Sequence, residues 1–160
     1  MSPVGSARAR RVEPTAHTRA VDALADPNYA AAWEVTIAGG DARSAEQWAR
    51  ATFEDAPRAL RSFVVAGWIA GLGLRLGPRP SPDHVLGWQI VTAVPDLIVL
   101  SVQSALLGTA QLVLQVESSR VFLTSLVRYE KPAARPVWSA VQPLHHQIVP
   151  YLLGRAASHP

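Results

Sequence analysis

The stretch 124-TSLVRYEKPAARPVWSAVQPLHHQIVPYLLGR-155 changes its apolar period partway along, and that change decides the fold. Before Pro132, Val127 and Tyr129 alternate with Arg128 and Glu130, extending an alternation that begins with Val121 and Leu123. A period of two belongs to a strand with one buried face. Beyond Pro132, Val137, Val141, Leu144, Ile148 and Leu152 recur every three or four residues. That spacing lays one apolar stripe along a helix, which the pattern places over residues 133–157. Pro136, Pro143 and Pro150 share one flank of it. Pro136 falls in or near the first turn, whereas the other two each delete an internal hydrogen bond and predict a bend. A bent helix suits the concave face of a twisted sheet.

Upstream, the period of two repeats. In 84-HVLGWQIV-91, Leu86, Trp88 and Ile90 share a face; in 96-DLIVLSVQS-104, Ile98, Leu100 and Val102 do the same. Pro95 and Asp96 join these two as a turn, with Asp96 the expected acceptor. Ala110, Leu112, Leu114 and Val116 then alternate with Thr109, Gln111, Gln115 and Glu117. Near the start, Tyr29, Ala31, Trp33, Val35 and Ile37 alternate with Glu34 and Thr36, and two glycines close that strand. Ser44 and Gln47 form a capping box for a short helix. Asp55 is the expected cap of a second helix, with Pro57 in its first turn. That helix carries Leu60, Val64, Gly67, Gly71 and Leu74 on one face, with Phe63 and Trp68 beside them. The glycines are expected to let it lie close to its neighbour. Short connections favour antiparallel pairing of the later strands. The order of elements predicts an α+β domain over residues 27–157: five strands of a curved antiparallel sheet wrapped around a C-terminal helix, with two short helices after the first strand. Residues 1–26 read as a flexible leader with a short helical turn in 18-TRAVDALAD-26.

Composition narrows the function classes. The chain has 160 residues, 49% hydrophobic and 17% charged, enough for one domain with a core or an internal pocket. Without cysteine there is neither a disulfide framework nor thiolate chemistry, which fits a cytoplasmic setting. The N-terminus is basic but lacks the apolar run of a secretory signal. The apolar stretch 64-VVAGWIAGLGL-74 stops at Arg75, short of a membrane span, so no integral membrane association is expected. Much of the net charge of +3 comes from Arg8, Arg10 and Arg11, and the remaining arginines are scattered without interleaved aromatics. Nucleic-acid binding is not expected.

The order of elements resembles the helix-grip architecture of the START-like, polyketide-cyclase-like superfamily, which includes birch-pollen-allergen-like proteins. Four segments, 77-GPRPSPDHVLGWQIV-91, 95-PDLIVLSVQS-104, 124-TSLVRYEKPAARPVW-138 and 143-PLHHQIVPYLLGRAA-157, are similar to a small family of uncharacterised actinobacterial proteins within it. The resemblance covers roughly residues 28–157. It implies a cavity between sheet and C-terminal helix, of the kind that takes lipids, steroids or polyketides, and no shared catalytic residues. Five strands fall short of the superfamily's full count, which leaves the size of that cavity open.

Trp33, Trp88, Tyr129, Trp138 and His145 fall on inward faces in this reading and are the candidate ligand-binding residues. His145 and Tyr129 are the candidate acid–base groups for a cyclase-, dehydratase- or hydrolase-type reaction. His146 points toward the polar side of the helix. His84 starts a strand, and His17 and His159 are terminal, so no metal site is expected. The glycines at 67, 71 and 73 do not join a strand to a helix, which excludes a dinucleotide fingerprint, and no cofactor is expected. Three functions follow: binding of a small apolar molecule, catalysis in the same cavity, or a structural interaction module without ligand. For the third, the outer strand face with Thr109, Gln111, Val113 and Gln115 is the surface through which a homodimer would form.

Overall fold

The alternating segments become seven strands: β1 (Arg10–Val12), β2 (Tyr29–Thr36), β3 (His84–Val85), β4 (Trp88–Val94), β5 (Leu97–Ser104), β6 (Gly108–Val116) and β7 (Arg120–Tyr129). Among the described residues, three α-helices accompany them: α1 (Ala45–Phe53), α2 (Arg58–Ala66) and α3 (Ala134–Ser158). The computed structural model describes residues 7–14 and 24–159. The strands form one sheet in the order β1-β2-β7-β6-β5-β4-β3, every neighbouring pair antiparallel. The result is the α+β helix grip, with α3 across the inner face of the sheet. Among the described residues, no helix is long and apolar enough to cross a membrane.

Register explains the inner face. Trp33 lies opposite Leu123, Leu123 opposite Leu114, and Leu100 opposite Leu112, so apolar side chains meet across four strands. Each such side chain, fully buried, contributes roughly 1.5–3 kcal/mol. Helix α3 is buried at its two ends. Ala134 and Trp138 are buried at one end, and Val149, Leu152, Leu153 and Ala156 at the other. The turns between them, Val141 to Ile148, remain half-buried or exposed. The helix continues through Pro143 and Pro150. The short helix α1 packs beneath, started by the Ser44–Gln47 capping box and anchored by the fully buried Trp48. The Arg43 guanidinium lies 3.8 Å from the Trp48 ring centroid and also donates to the Ala156 carbonyl, tying α1 to the end of α3.

Several expectations are corrected by the coordinates. The sheet has seven strands rather than five. One extra strand comes from splitting residues 84–91: Leu86 (φ 45°) and Gly87 (φ 90°) are both left-handed and form a two-residue turn between β3 and β4. The other is β1, within the stretch expected to be a flexible leader. It is held by the buried carboxylate of Glu34, which accepts from Arg10 Nε at 2.6 Å, and by Arg11, whose guanidinium sits 5.5 Å from the Trp33 ring centroid. The helical turn expected in residues 18–26 lies largely outside the described residues. Asp55 caps nothing; Pro57 occupies the N-cap of α2, which has no side-chain cap. The helical path ends at Gly71, and Leu74 instead bridges to Ser104.

The outer face of the sheet is the largest correction. Thr109, Gln111, Val113 and Gln115 are buried rather than open to solvent. Val113 belongs to a second apolar cluster with Leu97, Val99 and Leu126, against which Leu24 packs. The Leu24 amide donates to Gln111 Oε1 at 2.7 Å. The surface proposed for a homodimer is therefore internal to the chain. Val113→Asp would place an unpaired charge in that cluster, and we expect a loss of about 3 kcal/mol or more in urea unfolding. A loss under about 0.5 kcal/mol would mean that the face is open.

Candidate ligand pocket

Because the middle of α3 stands off the sheet, a pocket of about 270 Å³ remains between them. Its floor is the sheet, with Trp88, Leu112, Ser125 and Val127. One wall is α3, through Trp138, Val141, Leu144, His145, Ile148 and Leu152. The other wall is α2 and the turn that follows it, through Phe63, Val64, Gly67, Trp68 and Gly71. Phe63, Gly67, Gly71 and Leu144 are the exposed lining residues, so the mouth opens between these two helical walls. Among the described residues, no lining side chain carries a formal charge, and those with polar side-chain groups are Ser125, His145 and the tryptophans. A wider recess of about 540 Å³ on the other side of α2 is bordered by Glu54, Arg61 and Arg79. That recess is charged at its rim and touches the core at Leu86.

The structure brings together only part of the candidate set. Trp88, Trp138 and His145 lie on the pocket wall; Trp33 and Tyr129 do not. Trp33 is buried behind His145, their ring centroids 5.7 Å apart. Tyr129 sits at the end of β7, where its amide donates to Asn28 Oδ1 and Arg135 lies 5.4 Å over its ring. Sequence reasoning passed over Tyr29 as a site residue, although it marked the face that Tyr29 shares with Trp33. Its hydroxyl pairs with His146 Nε2 at 2.6 Å, so His146 turns toward the sheet and not to the polar side. Burial pushes the Tyr29 hydroxyl up to about 12. The Trp138 ring stands edge-on to both Tyr29 and His145, with centroids 4.9 Å apart in each case. Tyr29, Trp33, Trp138, His145 and His146 thus close one end of the pocket as a single aromatic cluster.

Electrostatics at that end disfavour positive charge. Burial pushes the His145 imidazole down to about 3, with His146 and Arg11 adding repulsion. His146 is lowered too, again by burial first and Arg11 second. His145 as a whole is half-buried, but its Nε2 is closed off from solvent and has no hydrogen-bond partner among the described residues. The indole nitrogens of Trp88 and Trp138 are in the same condition, and so is that of Trp48, which lies outside the pocket. A buried polar atom left unpaired costs roughly 1–3 kcal/mol. Trp138 meets ring faces edge-on, and such contacts recover only a fraction of that cost. Among the described residues, no three His, Asp or Glu side chains gather as metal ligands.

The wall residues that sequence reasoning did not select are chiefly those of the α3 stripe and of α2. Val141, Leu144 and Ile148 were legible as an apolar stripe, and Phe63 and Trp68 as neighbours of one. Whether such a stripe faces packed side chains or empty space depends on how far the helix stands from the sheet. Period alone does not encode that distance.

Comparison with known proteins adds little to this geometry. The chain matches no known protein-family model and no curated protein. Among solved structures, it is similar to the crystal structure of Ara h 8.0201, with 11% identity, a TM-score of 0.42, and coverage of 82% of this chain and 99% of that one. It is similar in the same degree, 11% identity and a TM-score of 0.42, to the solution structure of a protein from Arthrobacter aurescens, covering 82% of this chain and 87% of that one.

Proposed function

We propose that the protein binds a small, uncharged, apolar molecule in the pocket between α3 and the sheet. The observation that carries this reading is the lining: aliphatic and aromatic side chains, no formal charge, and walls shared by three separate elements. Pockets that bury small ligands have this composition, with a few polar groups fixing orientation. At about 270 Å³ the space is slightly below the usual range for drug-sized ligands, which favours a compact occupant over a long lipid. The same chemistry fits the polyketide-like and lipid-like ligands suggested by the helix-grip resemblance, whose actinobacterial members supply no function of their own. The lack of cysteine supports a cytoplasmic setting for this binding.

Isothermal titration with naphthalene, backed by native mass spectrometry of the purified protein, tests the reading. We expect saturable one-to-one binding and a rise in the thermal midpoint with ligand concentration, because a ligand selective for the folded state stabilises it by mass action. Absence of heat and of any midpoint shift at the solubility limit would contradict it.

Catalysis in the same pocket has weaker support. General acid–base help works best with a group whose pKa lies near the working pH. His145 stays neutral and only weakly basic, and Tyr129 is off the wall. The buried imidazole has a consequence for stability instead. Its folded-state pKa is below the unfolded value, so the unfolded chain binds the proton more readily. Stability is therefore full above pH 6.5 and declines as pH falls from there toward 3. Between pH 6.5 and 5, above the carboxylate range, we expect a loss of about 2 kcal/mol from His145. Urea unfolding of wild type and His145→Gln at both pH values checks this: the variant should lose markedly less on acidification. Equal losses would show that His145 is not the sensitive group.

A further inference from the structure

Helical glycines usually have a packing reason, and several glycines here show one. A Cβ on Gly154 would meet the Ala7 carbonyl oxygen at 2.6 Å, and one on Gly108 would meet the Arg128 carbonyl oxygen at 2.7 Å. Gly67 and Gly71 were expected to allow close packing in the same way. They do not: nothing lies within 4 Å of a Cβ at either position. Gly67 has ordinary helical angles, φ −63° and ψ −41°, so no special backbone conformation requires glycine there. Each glycine also weakens a helix relative to alanine. Packing and backbone conformation therefore leave this pair unexplained.

Their position supplies a reason. Both glycines are exposed and both line the pocket. Phe63 precedes them on the same lip, and Leu144 stands on the opposite one. Between the glycines the helix widens into a π-turn, with the Leu72 amide donating to the Gly67 carbonyl at 3.1 Å. Such widened turns concentrate at functional sites.

We propose that Gly67 and Gly71 are the portal of the pocket, kept free of side chains so that uncharged molecules of one or two rings pass between α2 and α3. This rests on the reading of the pocket as a site for apolar ligands, and adds to it the route and the size limit. By the liquid volume of water, the pocket holds on the order of ten non-hydrogen atoms. Its aromatic walls favour flat rings. A side chain at either glycine narrows the entry without meeting any neighbour.

The test is stopped-flow association of 1-nitronaphthalene, an uncharged two-ring quencher, read by the fluorescence of the pocket tryptophans. Wild type, Gly67→Leu, Gly71→Leu and Leu144→Trp are compared, with Gly39→Ala as the control. Gly39 lies outside the pocket, also with nothing within 4 Å of its Cβ. Leu144→Trp narrows the mouth from the other lip at an exposed position, so it remains informative if a glycine variant folds poorly. We expect association at least tenfold slower for the three mouth variants, with thermal midpoints equal to or above wild type for the glycine variants, and a wild-type rate for Gly39→Ala. Wild-type binding together with unslowed mouth variants would overturn the portal and leave the pocket reading intact. Failure of wild type to bind the quencher at all would overturn the pocket reading itself.

Discussion

The molecule depends on how α3 covers the inner face of the sheet. Four strands present a continuous apolar layer there, and only a helix of this length spans it. Contact is made at the ends, through Ala134 and Trp138 on one side and Val149 to Ala156 on the other. The Gly154 backbone, pressed against Ala7, and the bond from Arg43 to the Ala156 carbonyl fix the C-terminal contact. At the other end, Trp138 is wedged edge-on between Tyr29 and His145. With both ends held, the intervening turns cannot settle onto the sheet. The pocket is the space that this geometry leaves.

That arrangement also accounts for the electrostatics. Trp138 and His145 lie about two turns apart on α3, while Tyr29 and Trp33 come from β2, and their rings pack together at the end of the pocket. Inside such a cluster a charged imidazole would lose its hydration with no anion to replace it, so His145 remains neutral. Arg11, over Trp33, adds a positive field that disfavours a second cation. A neutral, weakly basic imidazole is poorly placed for proton transfer near neutral pH.

Much of this was legible in the sequence, for definite reasons. The change of period at Pro132 located α3 to within a residue or so at each end, and the Ser44–Gln47 box located α1, because both are local signals. Other features were hidden because they depend on distant partners. Arg10 to Val12 is too short a strand to show a period; Glu34 and Trp33, more than twenty residues away, make it one. Leu86 looked like a strand residue because nothing local announces a left-handed turn at leucine. Gln111 and Val113 looked like an exposed face because the cover over them involves Leu24, far back in the chain. Of the five candidate site residues, Trp88, Trp138 and His145 reach the pocket wall, and Trp33 and Tyr129, on neighbouring inward positions, stop short of it. Alternation fixes which face a side chain takes. It does not say whether that face meets a packed core or a void.

The central claim is that an apolar space persists under the middle of α3, and a crystal structure under xenon pressure tests it most directly, since xenon enters dry apolar cavities. The account predicts xenon density between Trp88, Leu112 and Ile148, with α3 in place. A pocket closed by side chains from α2 and α3, or one filled by ordered water in place of xenon, would contradict it.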